Sequence, residues 1–206
     1  MTPSSSPYDG KPASRWQAIT KKLIDSHPLG STEIVSVTLG CWDSILTTDI
    51  GGKYRIGIAI FPKPQIMAFF LHELIPLELA RIHPLVWRPE AQKTDKDIVH
   101  IPDASKSIEI KTSSHASKIF GNRSYAQKKA PAGKTTTRQV KSKSGFLLAI
   151  NFDKFKPGSA PPKIRLIRFG WIDHSDWRGQ AAQTGQQASL SSEAESHKLI
   201  VLFKTK

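Results

Sequence analysis

The sequence is short of cysteine and has no long hydrophobic run. Its 206 residues include one cysteine, Cys41, which excludes a disulfide framework within the chain and a zinc site built from several cysteines. No stretch approaches the roughly 20 consecutive apolar residues of a membrane-spanning helix. Residues 1–11 are polar and do not predict a signal peptide. We therefore expect a cytoplasmic protein, in a reducing compartment, that does not enter the membrane.

Acidic residues are also few. Seventeen aspartates and glutamates stand against 30 lysines and arginines, which gives a net charge of +13. Because 38% of the residues are hydrophobic, the composition excludes a disordered or fibrous chain. The positive charge favours a polyanionic partner, and nucleic acid ahead of a membrane because no basic amphipathic helix stands out. The serine and proline content of residues 1–12 predicts a flexible N-terminal tail, and the length predicts a single domain over residues 13–206.

The positive charge is concentrated in one part of the chain. Residues 104–144 hold ten lysines and arginines and one acid, and so carry nine of the thirteen net charges. Residues 128–144 contain few apolar side chains, which predicts a basic loop that orders on DNA, although a solvated surface loop is the simpler alternative. The basic and polar side chains of this region that we expect to contact DNA are Asn122, Arg123, Ser124, Lys128, Lys129, Lys134 and Arg138.

Hydrophobic periodicity predicts helices on either side of a strand-rich middle. Pro76 should kink or split the third of these helices because proline lacks the N–H of a helical hydrogen bond. The order of elements favours an α/β fold with a mixed central sheet flanked by helices. The predicted helices are residues 13–26, 31–46 and 64–82, and the predicted extended segments are residues 54–61, 145–152, 163–172 and 198–203.

Residues 97–112 predict a β-hairpin, since the strand-like ends flank proline, aspartate and serine in the turn at 102–106. Side chains alternate along a strand, so Glu109 and Lys111 share one face. If the turn is centred in residues 102–106, the residue numbers of paired residues on the two strands add up to about 208. This register places Asp97 opposite Lys111 and diagonal to Glu109, with Cα atoms roughly 7–8 Å apart.

Two carboxylates at that spacing can reach one metal ion, although a surface charge pair is the plain alternative. We expect Asp97, Glu109 and the carbonyl oxygen of Ile110 to hold Mg²⁺, which activates a water molecule for hydrolysis of a phosphodiester. Lys111 would orient or help to deprotonate that water and stabilise the transition state. Asp103 is the alternative first acid, but it lies roughly 13 Å from the level of Glu109 in this register.

Other polar residues are weaker candidates. Glu73 or Glu78, on the apolar helix, could add a further acid, although a helix face that borders solvent explains both. Ser175 can cap a helix over residues 176–187. Arginine and glutamine on such a helix can pair with bases in the major groove, and an amphipathic surface helix packed by tryptophans is the alternative. The residues expected to contact DNA here are His174, Arg178, Gln180 and Gln186.

Several stretches, taken in order, resemble the PD-(D/E)XK nuclease superfamily and, more narrowly, the ScaI-like type II restriction endonucleases. The resemblance implies a restriction-endonuclease-like fold and Mg²⁺-dependent cleavage of double-stranded DNA at a short palindromic site by a homodimer. It places the superfamily's acids on Asp97 and Glu109 and its lysine on Lys111. The stretches that carry the resemblance are residues 64–66, 72–76, 96–99, 107–114, 119–125, 168–177, 179–180 and 184–187.

Two points stay open at the level of the sequence. The literal Pro102-Asp103 lies close to Glu109 for the superfamily's usual pattern, so the first acid is either Asp97 or Asp103. A structure-specific repair or junction-resolving nuclease of the same superfamily would share the hairpin. A non-catalytic basic nucleic-acid-binding protein would explain the net charge but not the grouping of two acids with a lysine.

Overall fold

A computed structural model describes residues 6–122, 141–156, 158–180 and 187–205 of the chain. The helices are α1 (Ala13–Asp25), α2 (Ser31–Leu46), α3 (Pro64–Ile82) and α4 (Ser192–His197). The strands are β1 (Asp49–Ile50), β2 (Tyr54–Arg55), β3 (Trp87–Pro89), β4 (Ile98–His100), β5 (Ile108–Ser113), β6 (Phe120–Asn122), β7 (Gly145–Phe152), β8 (Ile164–Ile172), β9 (Trp177–Gly179), β10 (Gln187–Leu190) and β11 (Leu199–Lys204).

Six strands form a mixed central sheet in the order β11-β8-β7-β5-β4-β3. Within this sheet, β5 and β7 are parallel, and all other neighbouring strands are antiparallel. The apolar run in β7 lies between two partner strands, and every residue after Gly145 in it is buried. The predicted mixed sheet flanked by helices is therefore confirmed.

The two faces of the central sheet have different coverings. Ile110 of β5 and Ile150 of β7 belong to a core that includes Trp42 of α2 and Leu71 of α3. Alternate residues, such as Leu147, join a second core that includes apolar residues of β9 and β10. Glu109 and Lys111 alternate with the residues of the first core, so they lie on the second face.

A second sheet replaces a predicted helix. Strands β6, β10 and β9 form a three-stranded antiparallel sheet, and the predicted helix over residues 176–187 is wrong. The chain makes one 3₁₀ turn at His174–Asp176 and enters β9 with the buried Trp177. The carboxylate of Asp176 accepts hydrogen bonds from the backbone N–H of Asp173 and from Lys198, so it closes this turn and ties it to the residue between α4 and β11.

Two other segments differ from expectation. Pro76 does not split helix α3, which runs from Pro64 to Ile82, and apolar residues on both sides of the proline, among them Leu71 and Leu79, are buried. Only Tyr54–Arg55 of residues 54–61 is a strand. Beyond it the chain turns, with Gly57 at a φ of 85° and backbone N–H groups donating back to the carbonyl of Arg55.

The N-terminal segment packs on the domain. Tyr8 is only 4% exposed, and its ring lies beside Trp16 and Trp171. Its hydroxyl shares a 2.8 Å hydrogen bond with Thr20 Oγ1. The expectation of a loose tail is therefore wrong for residues 6–12, and residues 1–5 lie outside the described part of the chain.

None of the helices in the described part of the chain combines the length and the apolar character that crossing a bilayer requires.

Candidate active site

The hairpin has a different register from the one that the sequence predicted. Ile98 of β4 pairs with Ile108 of β5, so paired positions sum to 206 and the predicted register of about 208 is wrong. The turn's own hydrogen bonds explain the difference: the N–H of Asp103 donates to His100 Nδ1, and a 3₁₀ turn follows directly. Continuing this register by one residue places Asp97 opposite Glu109 rather than opposite Lys111.

The structure brings the proposed catalytic groups together. Asp97 Oδ2 accepts a 2.6 Å hydrogen bond from the backbone N–H of Ile110, which holds the aspartate against β5. Lys111 Nζ donates to Glu109 Oε1 at 2.6 Å and to the carbonyl oxygen of Ile110 at 3.1 Å. Glu109 is 5% exposed. The two carboxylates, the Ile110 carbonyl and the Lys111 ammonium therefore form one polar cluster beside the core.

Two further lysines join this cluster. Lys141 Nζ lies 3.0 Å from Asp97 Oδ1 and 2.9 Å from Glu109 Oε2. Lys96 Nζ lies 3.9 Å from Glu109 Oε2 and donates to the carbonyl oxygen of Ser142 at 2.6 Å. Burial alone would raise the pKa of Glu109, but the positive charges of Lys111, Lys96 and Lys141 outweigh it and bring the pKa to about 2. Glu109 is therefore ionised at neutral pH.

Burial has the opposite effect on Lys96. It disfavours the ammonium and lowers the pKa of Lys96 to about 8, although the charge of Glu109 opposes the shift. Lys96 thus loses its proton closer to neutral pH than an ordinary lysine does.

Sequence reasoning missed three residues of the cluster: Lys96, Lys141 and His72. Helix α3 places His72 Nδ1 3.6 Å from Asp97 Oδ2, and burial lowers the pKa of this histidine. The position of Lys96 next to Asp97 was a signal that the sequence did offer. His72 and Lys141 lie 25 and 44 positions from Asp97 and reach it only through the tertiary fold.

Other proposed acids lie elsewhere. Asp103 is exposed in the hairpin turn, where its side chain accepts a hydrogen bond from the N–H of Ser105. Glu78 pairs with Arg81 at 2.7 Å on the exposed side of α3, and Glu73 is exposed on the same helix. The structure does not bring Glu78 or Asp103 into the cluster with Asp97.

Three of the side chains expected to contact DNA come together on the small sheet. Asn122 ends β6 and lies opposite Gln187 of β10, and the N–H of Gln180 donates to the carbonyl of Gln187. Arg178 is exposed on β9. His174 lies in the 3₁₀ turn before β9, where its N–H donates to Ser144 Oγ. The other expected DNA contacts lie outside the described residues: Arg123, Ser124, Lys128, Lys129, Lys134, Arg138 and Gln186.

The donor atoms of the cluster suit a hard divalent cation. Asp97, Glu109 and the Ile110 carbonyl offer oxygens, the ligands that Mg²⁺ prefers. Within the described residues, no group of three or more histidine, cysteine, aspartate or glutamate side chains is placed to hold a metal. A site here therefore consists of two carboxylates and a carbonyl. The ammonium of Lys141 between the carboxylates shows that a cation fits there.

Comparison with known proteins gives a consistent family. No solved structure matches the chain. A family model described as ScaI restriction endonuclease matches residues 6–203. The type II restriction enzyme ScaI of Streptomyces caespitosus is 43% identical over 201 residues, which are 97% of this chain and 85% of that protein. Because the match spans nearly the whole chain and includes the acid–lysine cluster, the chain belongs to the ScaI restriction endonuclease family.

Proposed function

We propose that Asp97, Glu109 and Lys111 are the catalytic residues of a Mg²⁺-dependent enzyme that cuts double-stranded DNA at a short palindromic site. Membership in the family makes the chain a type II site-specific deoxyribonuclease and implies a divalent metal cofactor. The observation that supports these roles is the meeting of two carboxylates with the Lys111 ammonium at one end of the hairpin. A purely structural charge pair would not need Asp97, a second acid that is itself largely shielded from solvent.

The side chains of the cluster have distinct roles in this proposal. Asp97, Glu109 and the carbonyl oxygen of Ile110 hold the metal, which when bound lowers the pKa of a water molecule and offsets negative charge on the phosphate. The hydrogen bond from the N–H of Ile110 fixes Asp97 in place before the metal or DNA arrives. Lys111 orients the attacking water and stabilises the negative charge that develops on the phosphate oxygens.

The small sheet is the proposed reading surface for DNA bases. Asn122, Gln180 and Gln187 lie at one end of it and are exposed. Amide side chains of this kind pair with adenine, and the exposed Arg178 can pair with guanine. The basic segment between β6 and β7 would contact phosphates, since residues 123–143 contain seven lysines and arginines and no acid.

Symmetry gives the proposed assembly. A palindrome presents the same half-site twice, so a homodimer in which each single-domain protomer cuts one strand is the simplest assembly that can recognise it.

We expect the enzyme in the cytoplasm, where DNA is accessible and Cys41 stays reduced. Cys41 is a free, buried thiol whose pKa is raised by burial to about 12, so it is not a reactive nucleophile.

A digest of DNA of known sequence tests the proposed activity. The purified protein is incubated with plasmid and Mg²⁺, and the fragment ends are sequenced. We expect discrete bands whose ends share one palindromic sequence, and no bands when the metal is chelated. Cleavage only at branched or damaged substrates would instead identify a structure-specific nuclease. Binding without cleavage in Mg²⁺ would contradict the enzymatic role.

A further inference from the structure

The ammonium of Lys141 occupies a position between the two acids. It is within 3.0 Å of Asp97 Oδ1 and 2.9 Å of Glu109 Oε2, and so it bridges carboxylates that come from opposite strands of the hairpin. No other lysine of the cluster has ion pairs with both acids in the described part of the chain. The position between two carboxylates is the one that a shared divalent cation would take.

The charge of the cluster leaves little room for an additional cation. Three ammonium groups, those of Lys96, Lys111 and Lys141, face the carboxylates of Asp97 and Glu109, so this group of side chains already has a net charge of +1. Glu90 is a partial counter-charge: its Oε2 is 3.8 Å from Lys141 Nζ, but its side chain is 58% exposed. A bound divalent ion would raise the net charge to +3 in a mostly buried place. One ammonium must therefore move away or lose its proton, or an anion must enter.

Local structure identifies which lysine can leave. Lys111 is fixed on β5 in the central sheet, and Lys96 is held by its hydrogen bond to the carbonyl of Ser142. Lys141 precedes β7 outside any helix or strand, and its side chain is the most exposed of the three lysines. The Lys96–Ser142 bond also ties the backbone one residue after Lys141 to the site. The ammonium can swing away while its backbone stays anchored.

We infer that Lys141 and the divalent cation exclude one another at Asp97 and Glu109, so that metal binding releases Lys141 from the acids toward a phosphate of the bound DNA. Lys141 keeps the two carboxylates close together and neutralised in the protein without metal. Once displaced, it adds a positive charge beside the cleavage site, where the DNA backbone supplies the missing negative charge. The inference rests on the proposed metal site, and it assigns Lys141 a positioning role.

Metal binding without DNA tests the exchange. Mn²⁺ takes the oxygen ligands that suit Mg²⁺, and free Mn²⁺ is counted by its electron paramagnetic resonance signal. If Lys141 occupies the site nine-tenths of the time, Lys141→Met should tighten Mn²⁺ binding by about tenfold. The control Lys154→Met removes the same charge from an exposed lysine beyond the end of β7, and it should leave the affinity unchanged.

A second measurement uses the wild-type protein, so it does not depend on whether a variant folds. Reductive methylation followed by peptide mass spectrometry measures how accessible each lysine is. We expect saturating Mn²⁺ to increase the labelling of Lys141 and to leave that of Lys154 unchanged. Labelling of Lys141 that stays constant or falls when Mn²⁺ binds would overturn the exchange.

The variant Asp97→Asn separates this inference from the proposed function. If Asp97→Asn loses Mn²⁺ binding while Lys141→Met binds like the wild type, the metal site stands and the exchange is wrong. If Asp97→Asn binds Mn²⁺ as well as the wild type, the proposed metal site itself is wrong, and the exchange with it. Tighter binding in Lys141→Met together with loss in Asp97→Asn supports both.

Discussion

Asp97 and Asp103 stand six positions apart, and their surroundings differ in ways that matter for chemistry. Asp97 accepts a hydrogen bond from the backbone N–H of Ile110, on the strand that holds Glu109, and forms an ion pair with Lys141. Asp103 is exposed, and its side chain accepts a hydrogen bond within its own turn. Only the first of these surroundings combines a fixed carboxylate with a neighbouring acid and lysine.

We therefore expect opposite effects on DNA cleavage when each aspartate is replaced by asparagine. Asp97→Asn removes a proposed metal ligand, and we expect its rate of DNA cleavage in Mg²⁺ to fall by at least about 100-fold. Mutation of residues that only hydrogen-bond to a metal ligand can already lower activity by about that factor. Asp103→Asn is the matched control and should cut close to the wild-type rate. The single-turnover cleavage rate of a plasmid measures both, and the reverse order of activities would transfer the role to Asp103.

Asp95 is a second residue whose protonation matters, since it braces the loop that leads to Asp97. Its carboxylate accepts hydrogen bonds from Arg88 at 2.8 Å, from the N–H of Ala91 at 3.0 Å and from Gln92 at 3.2 Å. Burial alone would raise its pKa, but these bonds outweigh burial and lower the pKa to about 2. Because the folded protein lowers this pKa, Asp95 contributes stability above the unfolded pKa of about 4 that is lost as the pH falls toward 2.

This linkage predicts a pH-dependent difference. Asp95→Asn should lower the free energy of unfolding by about 2 kcal/mol at neutral pH, and the difference from the wild type should shrink between about pH 4 and pH 2. Urea unfolding at a series of pH values measures it. Parallel curves for the two proteins over that interval would show that Asp95 does not have the lowered pKa.

At the scale of elements, the sequence predicted long strands well and short ones badly. The apolar run of β7 is long enough to define its own bounds, and the predicted residues 145–152 are those observed. Strands β6, β9 and β10 have three or four residues each, too few for a period-two pattern to appear. The possible helix cap at Ser175 therefore predicted a helix where β9 and the first residue of β10 lie.

The hairpin that holds the proposed catalytic residues shows the same limit for register. Its strands were expected from alternation and turn residues, and both are present. The register depends on hydrogen bonds inside the turn, such as that from the N–H of Asp103 to His100, which a sequence pattern does not reveal. Asp97 and Glu109 lie close together in the observed register as in the predicted one. Lys141 and His72 reach the acids only through the tertiary fold, so the sequence pattern did not predict them.

Close packing between β8 and β11 gives a prediction at the same scale. A methyl group on Gly170 would overlap the carbonyl oxygen of Lys198, a backbone atom that cannot turn away. We expect Gly170→Ala to lower the free energy of unfolding by about 1–3 kcal/mol or more. Gly40→Ala, at an open position on α2, should instead raise it by about 1 kcal/mol. Urea unfolding compares the two, and a stable Gly170→Ala would contradict the close approach of these strands.

Across the whole molecule, the positive charge is concentrated in the segment of the chain that contains Glu109 and Lys111. Nine of the thirteen net positive charges fall in residues 104–144, which begin in the hairpin turn, contain Glu109 and Lys111, and end just before β7. The lysines nearest the acids neutralise them in the folded protein, and we expect the others to contact DNA phosphates. Binding to DNA should thus depend strongly on salt, while cleavage depends on the few residues at the cluster.

This division between binding and cleavage leads to the most direct test of the account. Glu109→Gln and Lys111→Met are compared with the wild type for binding of a duplex that contains the target site, at one fixed salt concentration, and for cleavage of it in Mg²⁺. We predict that both variants bind the duplex and that neither cuts it detectably. Cleavage at the wild-type rate by either variant would contradict the catalytic roles of Glu109 and Lys111.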